Sequence, residues 1–96
     1  MRTTNNKTNQ KELREVWFLV IPDAEVVSND IAEKEMIHKS YIEDIEGIRE
    51  TYGFRNVEIF WISEYRDAGF GLEQKAIIYG HDSEIDEFLN KVNELL

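Results

Sequence analysis

The sequence predicts an α+β domain in which two helices cover one face of a three-stranded β-sheet. Two runs rich in β-branched and aromatic residues, at 56–64 and 73–81, flank a connector that contains glycine. This pattern indicates an antiparallel hairpin. An earlier apolar run predicts a further strand, and two stretches with helical spacing of apolar residues complete the order β-α-β-β-α.

The composition is that of one small globular domain. The chain has 96 residues, of which 42% are apolar and 11% aromatic, and this is enough for a single core. It has no cysteine, which excludes disulfides, thiolate chemistry and cysteine-based metal sites. It also lacks an apolar run of about 18 residues that could cross a membrane, or the apolar centre of a secretion signal. We therefore expect a soluble, cytoplasmic protein.

The charge of the chain favours basic protein partners. The formal net charge is −9, and because residues 1–15 carry four bases and two acids, residues 16–96 carry −11. An acidic body of this kind repels phosphate backbones and anionic lipid. We expect no direct binding to nucleic acid or membrane.

The first strand is predicted at Val16–Ile21, where six apolar residues in a row suit a strand covered on both faces. Pro22 and Asp23 end it, because proline cannot donate to the ladder. The polar residues before it predict a mobile tail over residues 1–14, leaving 15–96 as the folded domain.

The first helix is predicted to begin near Asp30, which can cap its free amides, with Glu33 completing a variant of the capping box. Gly53 lies where a helix end favours a left-handed residue. The apolar stripe between them consists of Ile37, Tyr41, Ile45, Ile48 and Tyr52, widened by Met36 and Ile42.

In the hairpin, Val57, Ile59 and Trp61 are predicted on one side of the sheet, and Phe60 and Ile62 on the other. The connector Tyr65–Leu72 is longer than a tight hairpin needs, and long loops often bind partners. We predict that Tyr65, Arg66, Asp67 and Phe70 of this connector contact a partner. Tyrosine, arginine and phenylalanine are residue types enriched at protein interfaces. Alternatively, Phe70 packs on the domain edge and Arg66 pairs with Asp67.

The last helix is predicted to begin at Asp82 or Ser83, with three acids in its first turn that suit the positive end of the helix dipole. Its apolar stripe runs through Ile85, Phe88, Leu89, Val92, Leu95 and Leu96.

A right-handed crossover makes the first strand parallel to the second, with the third strand between them and both helices on one face. This order resembles a ferredoxin-like plait that lacks its final strand. The resemblance is one of topology, shared by many unrelated functions, and implies none of them.

The uncovered face of such a sheet would be apolar, which is unusual for a soluble monomer. We predict that a second copy covers it, through a homodimer face formed by Trp17, Phe60, Ile62 and Tyr79. The alternatives are that the tail or the loop after Pro22 folds over this face, or that another protein covers it.

Residues for catalysis or metal binding do not form a recognisable pattern. The two histidines, His38 and His81, lie in no metal-binding motif. No serine lies in a nucleophile elbow, and Gly69 and Gly71 lack the third glycine of a nucleotide loop. We predict no catalytic residue, no metal ligand and no cofactor.

The function favoured by these features is non-catalytic protein binding through an acidic helical face, which could attract the basic groove of a nucleic-acid-handling protein and compete with its phosphates. In size and charge the chain resembles small acidic inhibitors made by phages and other mobile elements. The alternative is a dimeric small-molecule-binding or enzymatic domain whose pocket is lined by Trp17, Trp61, Tyr41 and Tyr79. The predicted partner-binding residues of the acidic helical face are Glu43, Asp44, Glu46, Glu50, Glu84, Asp86 and Glu87.

Overall fold

The computed structural model describes residues 10–96 and has an α+β architecture. The three strands form one antiparallel sheet in the order β1-β3-β2, so β3 is central and β1 and β2 are the edges. The elements are β1 (Lys11–Pro22), a 3-10 turn (Asp23–Glu25), α1 (Ile31–Thr51), β2 (Glu58–Asp67), β3 (Gly71–His81) and α2 (Asp82–Leu95).

The hydrophobic core lies between one face of the sheet and both helices, which therefore pack on the same side. Inward positions on β3 alternate with outward ones, so that Ala76 and Ile78 are buried while Ile77 and Tyr79 are partly exposed. The fully or nearly buried apolar side chains are Phe18, Val20, Ile45, Ile48, Val57, Ala76, Ile78, Ile85, Phe88 and Val92.

Strand β1 begins at Lys11, so residues 11–14 belong to the sheet and not to the predicted tail. Their polarity suggested a tail, but β3 is long enough to pair with them: Lys11 lies opposite His81 and Arg14 opposite Ile78. The Lys11 ammonium also lies 5.5 Å from the centre of the Tyr79 ring. The predicted tail residues 1–9 lie outside the described residues.

The start of α1 is as predicted. Asp30 is the N-cap and accepts a hydrogen bond from the amide of Ala32 at 3.2 Å. Glu33 reaches back to accept from the amides of Val27, Ser28 and Asn29 at 2.8–3.1 Å.

The predicted apolar stripe of α1 is buried only in its middle. Ile45 and Ile48 are in the core, and Gly53 has the predicted positive φ of 78°. Met36 and Tyr52 are 73% and 49% exposed, so these two members of the predicted apolar stripe do not pack in the core.

The hairpin connector is much shorter than predicted. Strand β2 continues to Asp67 and β3 starts at Gly71, which leaves a three-residue turn. Asp67 stabilises this turn by accepting a hydrogen bond from the amide of Gly69 at 2.7 Å. Polar side chains on β2 concealed the strand, because an edge strand tolerates polar residues facing solvent.

Helix α2 begins at Asp82, as predicted, with His81 as its N-cap residue. Its stripe is buried at Ile85, Phe88 and Val92, whereas Leu95 and Leu96 are 46% and 50% exposed. The end of the helix therefore places two leucines on the surface.

Candidate functional site

The structure divides the seven predicted residues of the acidic helical face into three groups. A structural group of two carboxylates is hydrogen-bonded within the domain, three surround one exposed region of α1, and two lie elsewhere on α2.

Glu46 belongs to the structural group. Its carboxylate accepts a hydrogen bond from Trp61 Nε1 at 3.0 Å and one from Arg49 Nε at 3.3 Å. Arg49 in turn donates to the carbonyl of Val57 at 3.1 Å. The Glu46 side chain is only 37% exposed and ties α1 to the β2 side of the sheet.

Asp86 is also engaged within the domain. Arg14 on β1 donates to Asp86 at 2.6 Å and to Asp82 in the first turn of α2. The hydrogen bond to Asp86 is the main reason that the pKa of Arg14 is raised above its usual value. This contact joins the first strand to the last helix.

Glu43, Asp44 and Glu50 are exposed on α1 around Gly47. Two shallow depressions, of about 290 and 310 Å³, lie on either side of this glycine. A Cβ atom at Gly47 would meet nothing within 4 Å, so the surface is open there.

The exposed apolar side chains of this region come from the C-terminal ends of both helices. Tyr52, Leu95 and Leu96 line the depression of 290 Å³ together with Glu43 and Asp44, and each of the three is 46–50% exposed. We call the whole region the Gly47 surface; it consists of Glu43, Asp44, Gly47, Glu50, Tyr52, Leu95 and Leu96.

Lys91 lies at the border of this surface, and its charge is paired with Glu94 and not with the carboxylates of the surface. Its ammonium lies 4.9 Å from the centre of the Tyr52 ring and 2.8 Å from Glu94. The hydrogen bond to Glu94 raises the pKa of Lys91. Glu84 is half-buried and Glu87 exposed on α2, and neither lines the two depressions.

The predicted contact loop does not exist as a loop. Tyr65, Arg66 and Asp67 lie on β2, paired with Gln74, Glu73 and Leu72 of β3. Arg66 forms an ion pair with Glu73 at 2.7 Å. Only Phe70 is in the turn, where it is 60% exposed.

Three of the four residues of the predicted dimer face, Trp17, Phe60 and Tyr79, lie on the side of the sheet opposite the helices, and the fourth, Ile62, lies in the irregular stretch of β2 between Trp61 and Tyr65. Register places Trp17 opposite Lys75 of β3, and Phe60 opposite Ile77, on the same side as Tyr79. Phe60 is 48% exposed; Trp17, Ile62 and Tyr79 are partly buried.

Charged side chains of the sheet itself cover part of this face. The Arg66 guanidinium lies 4.3 Å from the centre of the Trp17 ring, and the Lys75 ammonium lies 5.5 Å from it. Lys75 also bridges Glu15 and Glu64 at 3.4 and 3.3 Å. The face is thus a mixture of aromatic and paired charged groups.

The predicted aromatic pocket is only partly assembled. A cleft of about 490 Å³ at the free edge of β1 includes Trp17 and Tyr41, but Trp61 and Tyr79 do not line it. The Tyr41 hydroxyl donates to Glu25, and this hydrogen bond is the main cause of a rise in the pKa of Tyr41 to about 12.

Both histidines are partly buried. His38 Nε2 is 2.6 Å from Oε1 of Gln74, whose amide donates to the carbonyl of Ile62 at 3.0 Å. His81 precedes α2, and its Nδ1 is buried without a hydrogen-bond partner among residues 10–96. In that range, no group of three or more His, Asp or Glu residues is arranged to hold a metal ion.

Gln74 and Gly47 are the two important residues that sequence reasoning missed. Gln74 occupies an inward position of β3, two residues before Ala76, and an inward glutamine on a central strand signals a buried hydrogen-bond network. A glycine inside a helical pattern, such as Gly47, signals a special role on the surface or in packing.

Comparison of the chain with protein-family models, with curated proteins and with solved structures finds no match. The helices of residues 10–96 include none that is long and apolar enough to cross a membrane. The class defined by the fold is therefore a small α+β domain with a three-stranded antiparallel sheet and two helices on one face.

Proposed function

We propose that this chain is a non-catalytic protein-binding module that holds a basic surface of a partner protein on its Gly47 surface. The observation that carries the proposal is the combination of exposed carboxylates and exposed apolar side chains on this surface. Exposed carboxylates surround two depressions, and Tyr52, Leu95 and Leu96 provide exposed apolar area beside them.

Charge and apolar area have different parts in such binding. The carboxylates attract a basic surface and set its orientation. The tyrosine and the two leucines provide apolar area of the kind that anchors a complex when it is desolvated. A site with carboxylates alone would bind weakly, because exposed charge pairs are screened by salt.

The most fitting partner is a cytoplasmic protein that handles nucleic acid, because its basic groove already accepts phosphates. Glu43 and Glu50 are seven residues apart, or about two helical turns, so both carboxylates lie on the same side of α1 and about 10 Å apart along its axis. Occupation of the groove by this domain would inhibit the partner, in the manner of inhibitors from phages and mobile elements.

The arrangement of the helices supports the same proposal. The strand order and the common side of the helices fit a ferredoxin-like plait without its fourth strand. In this arrangement the sheet holds α1 and α2 side by side, so their outer sides form one continuous surface. We also propose that the protein acts as a homodimer, which would present two such surfaces.

A capture experiment tests the proposal. The immobilised protein is incubated with nuclease-treated cell lysate and eluted with salt steps or with duplex DNA. We expect a basic nucleic-acid-handling protein to be retained at low salt and released by DNA. The variant Glu43→Gln/Glu50→Gln should retain much less of it.

A matched control separates local from overall charge. Asp23→Asn/Glu58→Gln removes the same two charges from exposed positions away from the helices, and it should retain the partner as the unmodified protein does. Equal loss in both variants, or retention that duplex DNA does not reverse, contradicts the proposal.

The cleft at the β1 edge favours a second candidate function, the binding of a small molecule. Its volume of about 490 Å³ is in the range of ligand pockets, and the Tyr41–Glu25 pair supplies polar groups at its wall. Native mass spectrometry of the protein purified from its host would show a co-purifying small molecule, and Tyr41→Phe would weaken its retention.

A further inference from the structure

The outer edge of β1 has no strand partner within residues 10–96. The other edge of β1 is hydrogen-bonded to β3. β1 is 12 residues long, about twice the usual strand length. The outer edge of such a strand presents a row of N–H and C=O groups that can pair with another strand.

The opposite edge of the sheet is protected against pairing. Strand β2 contains a bulge between Trp61 and Tyr65, where four positions of β2 span only two steps of β3. Glu58, Glu64 and Asp67 add three acids along it. Bulges and like charges are the usual means by which an edge strand avoids pairing. Strand β1 also has an irregularity, between Leu19 and Ile21, but it lies outside residues 11–15. The edge formed by residues 11–15 therefore differs from the edge formed by β2.

The first half of β1 is complementary in charge to a second copy of itself. The segment Lys11–Glu15 reads Lys-Glu-Leu-Arg-Glu. If two copies run antiparallel about a two-fold axis at Leu13, each Lys11 lies opposite a Glu15 and each Glu12 lies opposite an Arg14. Every charge then has an opposite charge as its direct cross-strand neighbour, which is favourable.

Other registers lose this complementarity. Moving the axis to Glu12 would place the two copies of that acid opposite each other, and moving it to Arg14 would do the same with two bases. Directly opposed like charges are unfavourable. The sequence of this segment therefore specifies the register as well as the orientation.

The surroundings of the segment permit close approach of a second copy. Leu13 is 69% exposed, and Lys11, Glu12 and Glu15 are exposed beside it. The five residues 11–15 have no net charge, in a chain whose net charge is −9. The acidic helices repel their own copies, and this neutral edge does not.

We propose that two copies of the chain pair through residues Lys11–Glu15 of β1, antiparallel about Leu13, to form a continuous six-stranded sheet. This inference depends on the homodimer of the proposed function and names its interface. It differs from the face-to-face dimer that the sequence predicted through Trp17 and Phe60. Face-to-face packing would bury the ion pairs of Lys75 and Arg66, which is costly. Edge pairing leaves the pairs Arg66–Glu73 and Lys75–Glu64 away from the interface and involves only Glu15 among their partners.

Cross-linking across the axis tests the interface. Directly opposite residues in antiparallel strands have Cα atoms about 4.5–5.5 Å apart, which is within the range of a disulfide. Because the chain has no cysteine, Leu13→Cys introduces the only thiol. On mild oxidation we expect most of this variant to run as a covalent dimer of twice 11.4 kDa. Val27→Cys, at a position 90% exposed elsewhere on the surface, should remain largely uncoupled.

A charge exchange tests the register. Lys11→Glu places an acid opposite Glu15 at both ends of the interface and should weaken the dimer by about tenfold or more, as measured by analytical ultracentrifugation. The double variant Lys11→Glu/Glu15→Lys restores complementarity across the axis while it loses the Lys75–Glu15 contact within each chain, and it should recover affinity relative to each of the two single variants. Circular dichroism of each variant verifies that the domain remains folded.

The outcomes separate the interface from the homodimer itself. A purified protein that sediments as a monomer at high concentration overturns both. A dimer whose Leu13→Cys variant does not cross-link, and which dissociates on Phe60→Ser, overturns the edge interface and supports the face-to-face dimer. Failure of the double variant to recover affinity overturns the register.

Discussion

The indole nitrogen of Trp61 donates a hydrogen bond of 3.0 Å to the carboxylate of Glu46. This contact joins α1 to the edge strand β2, while the Trp61 ring packs against Phe18 with the ring centres 5.4 Å apart. One tryptophan thus anchors the helix by its polar end and contributes to the core by its apolar body.

Loss of this hydrogen bond should destabilise the domain. We expect Trp61→Phe to lower the free energy of unfolding by about 1–2 kcal/mol, because the ring is retained while the charged acceptor loses a partner. Urea denaturation measures this change. In a double-mutant cycle with Glu46→Ala the two effects should not add; additive effects would show that the contact contributes nothing.

Gln74 should be among the polar residues most sensitive to substitution. Its side chain is 5% exposed and contacts both His38 and the carbonyl of Ile62. We expect Gln74→Leu to lower the free energy of unfolding by about 1–3 kcal/mol, since two polar partners would lose their hydrogen bond. Gln10→Leu, at an exposed position, is the control and should have little effect. An equally small effect at both positions would contradict the structure.

The stabilising effect of Glu33 should depend on pH. Its pKa is lowered below 4.5, chiefly by the backbone hydrogen bond from Val27. A lowered pKa in the folded state means that the ionised form stabilises the fold. This contribution is fully present above pH 4.5 and is lost as the pH falls through the lower pKa of the folded protein.

Thermal unfolding of Glu33→Gln against pH tests this expectation. The variant should have a lower Tm than the unmodified protein at neutral pH, and the difference should shrink in acid as Glu33 itself becomes protonated. Glu35→Gln, at an exposed position on the same helix, should show no such trend. A Tm difference that is constant with pH would exclude a role for the charge of Glu33.

Two glycines should respond to alanine in opposite directions. A Cβ at Gly71 would lie 2.6 Å from the carbonyl oxygen of Ile21 and 2.9 Å from Cα of Pro22. Both are backbone atoms, so Gly71→Ala should destabilise the domain by about 1–3 kcal/mol. Gly47 is a helical residue with open space around it, and Gly47→Ala should stabilise by about 0.5–1 kcal/mol. Chemical denaturation of both variants checks the pair, and a stabilised Gly71→Ala would contradict this packing.

Local signals in the sequence were sufficient for most of the elements. The Asp30 cap and the Gly53 terminator follow from the hydrogen-bonding and conformational needs of a few neighbouring residues, and the start of α2 at Asp82 follows from the acids of its first turn. Alternation in the hairpin likewise placed Val57, Ile59 and Trp61 on one side, where all three contribute to the core, and Phe60 on the other. These features depend on short stretches of chain, and they were predicted correctly.

The candidate site was predicted less completely, because residues alike in sequence have different neighbours in space. Glu46 and Glu50 are one helical turn apart, yet the first is tied to Trp61 and the second is exposed. Likewise, the polar residues at 65–67 suggested a loop, and their pairing with β3 made them a strand.

The sequence by itself determined that this is an acidic α+β domain, where its helices begin, and which residues of the hairpin share a side of the sheet, since caps, periodicity and turn residues act over a few positions. Only the tertiary structure decided which carboxylates are hydrogen-bonded to Trp61 and Arg14, how far β1 and β2 extend, and that Gly47 lies between exposed acids and leucines. Those properties come from contacts between residues far apart in the chain, and such contacts have no local signature.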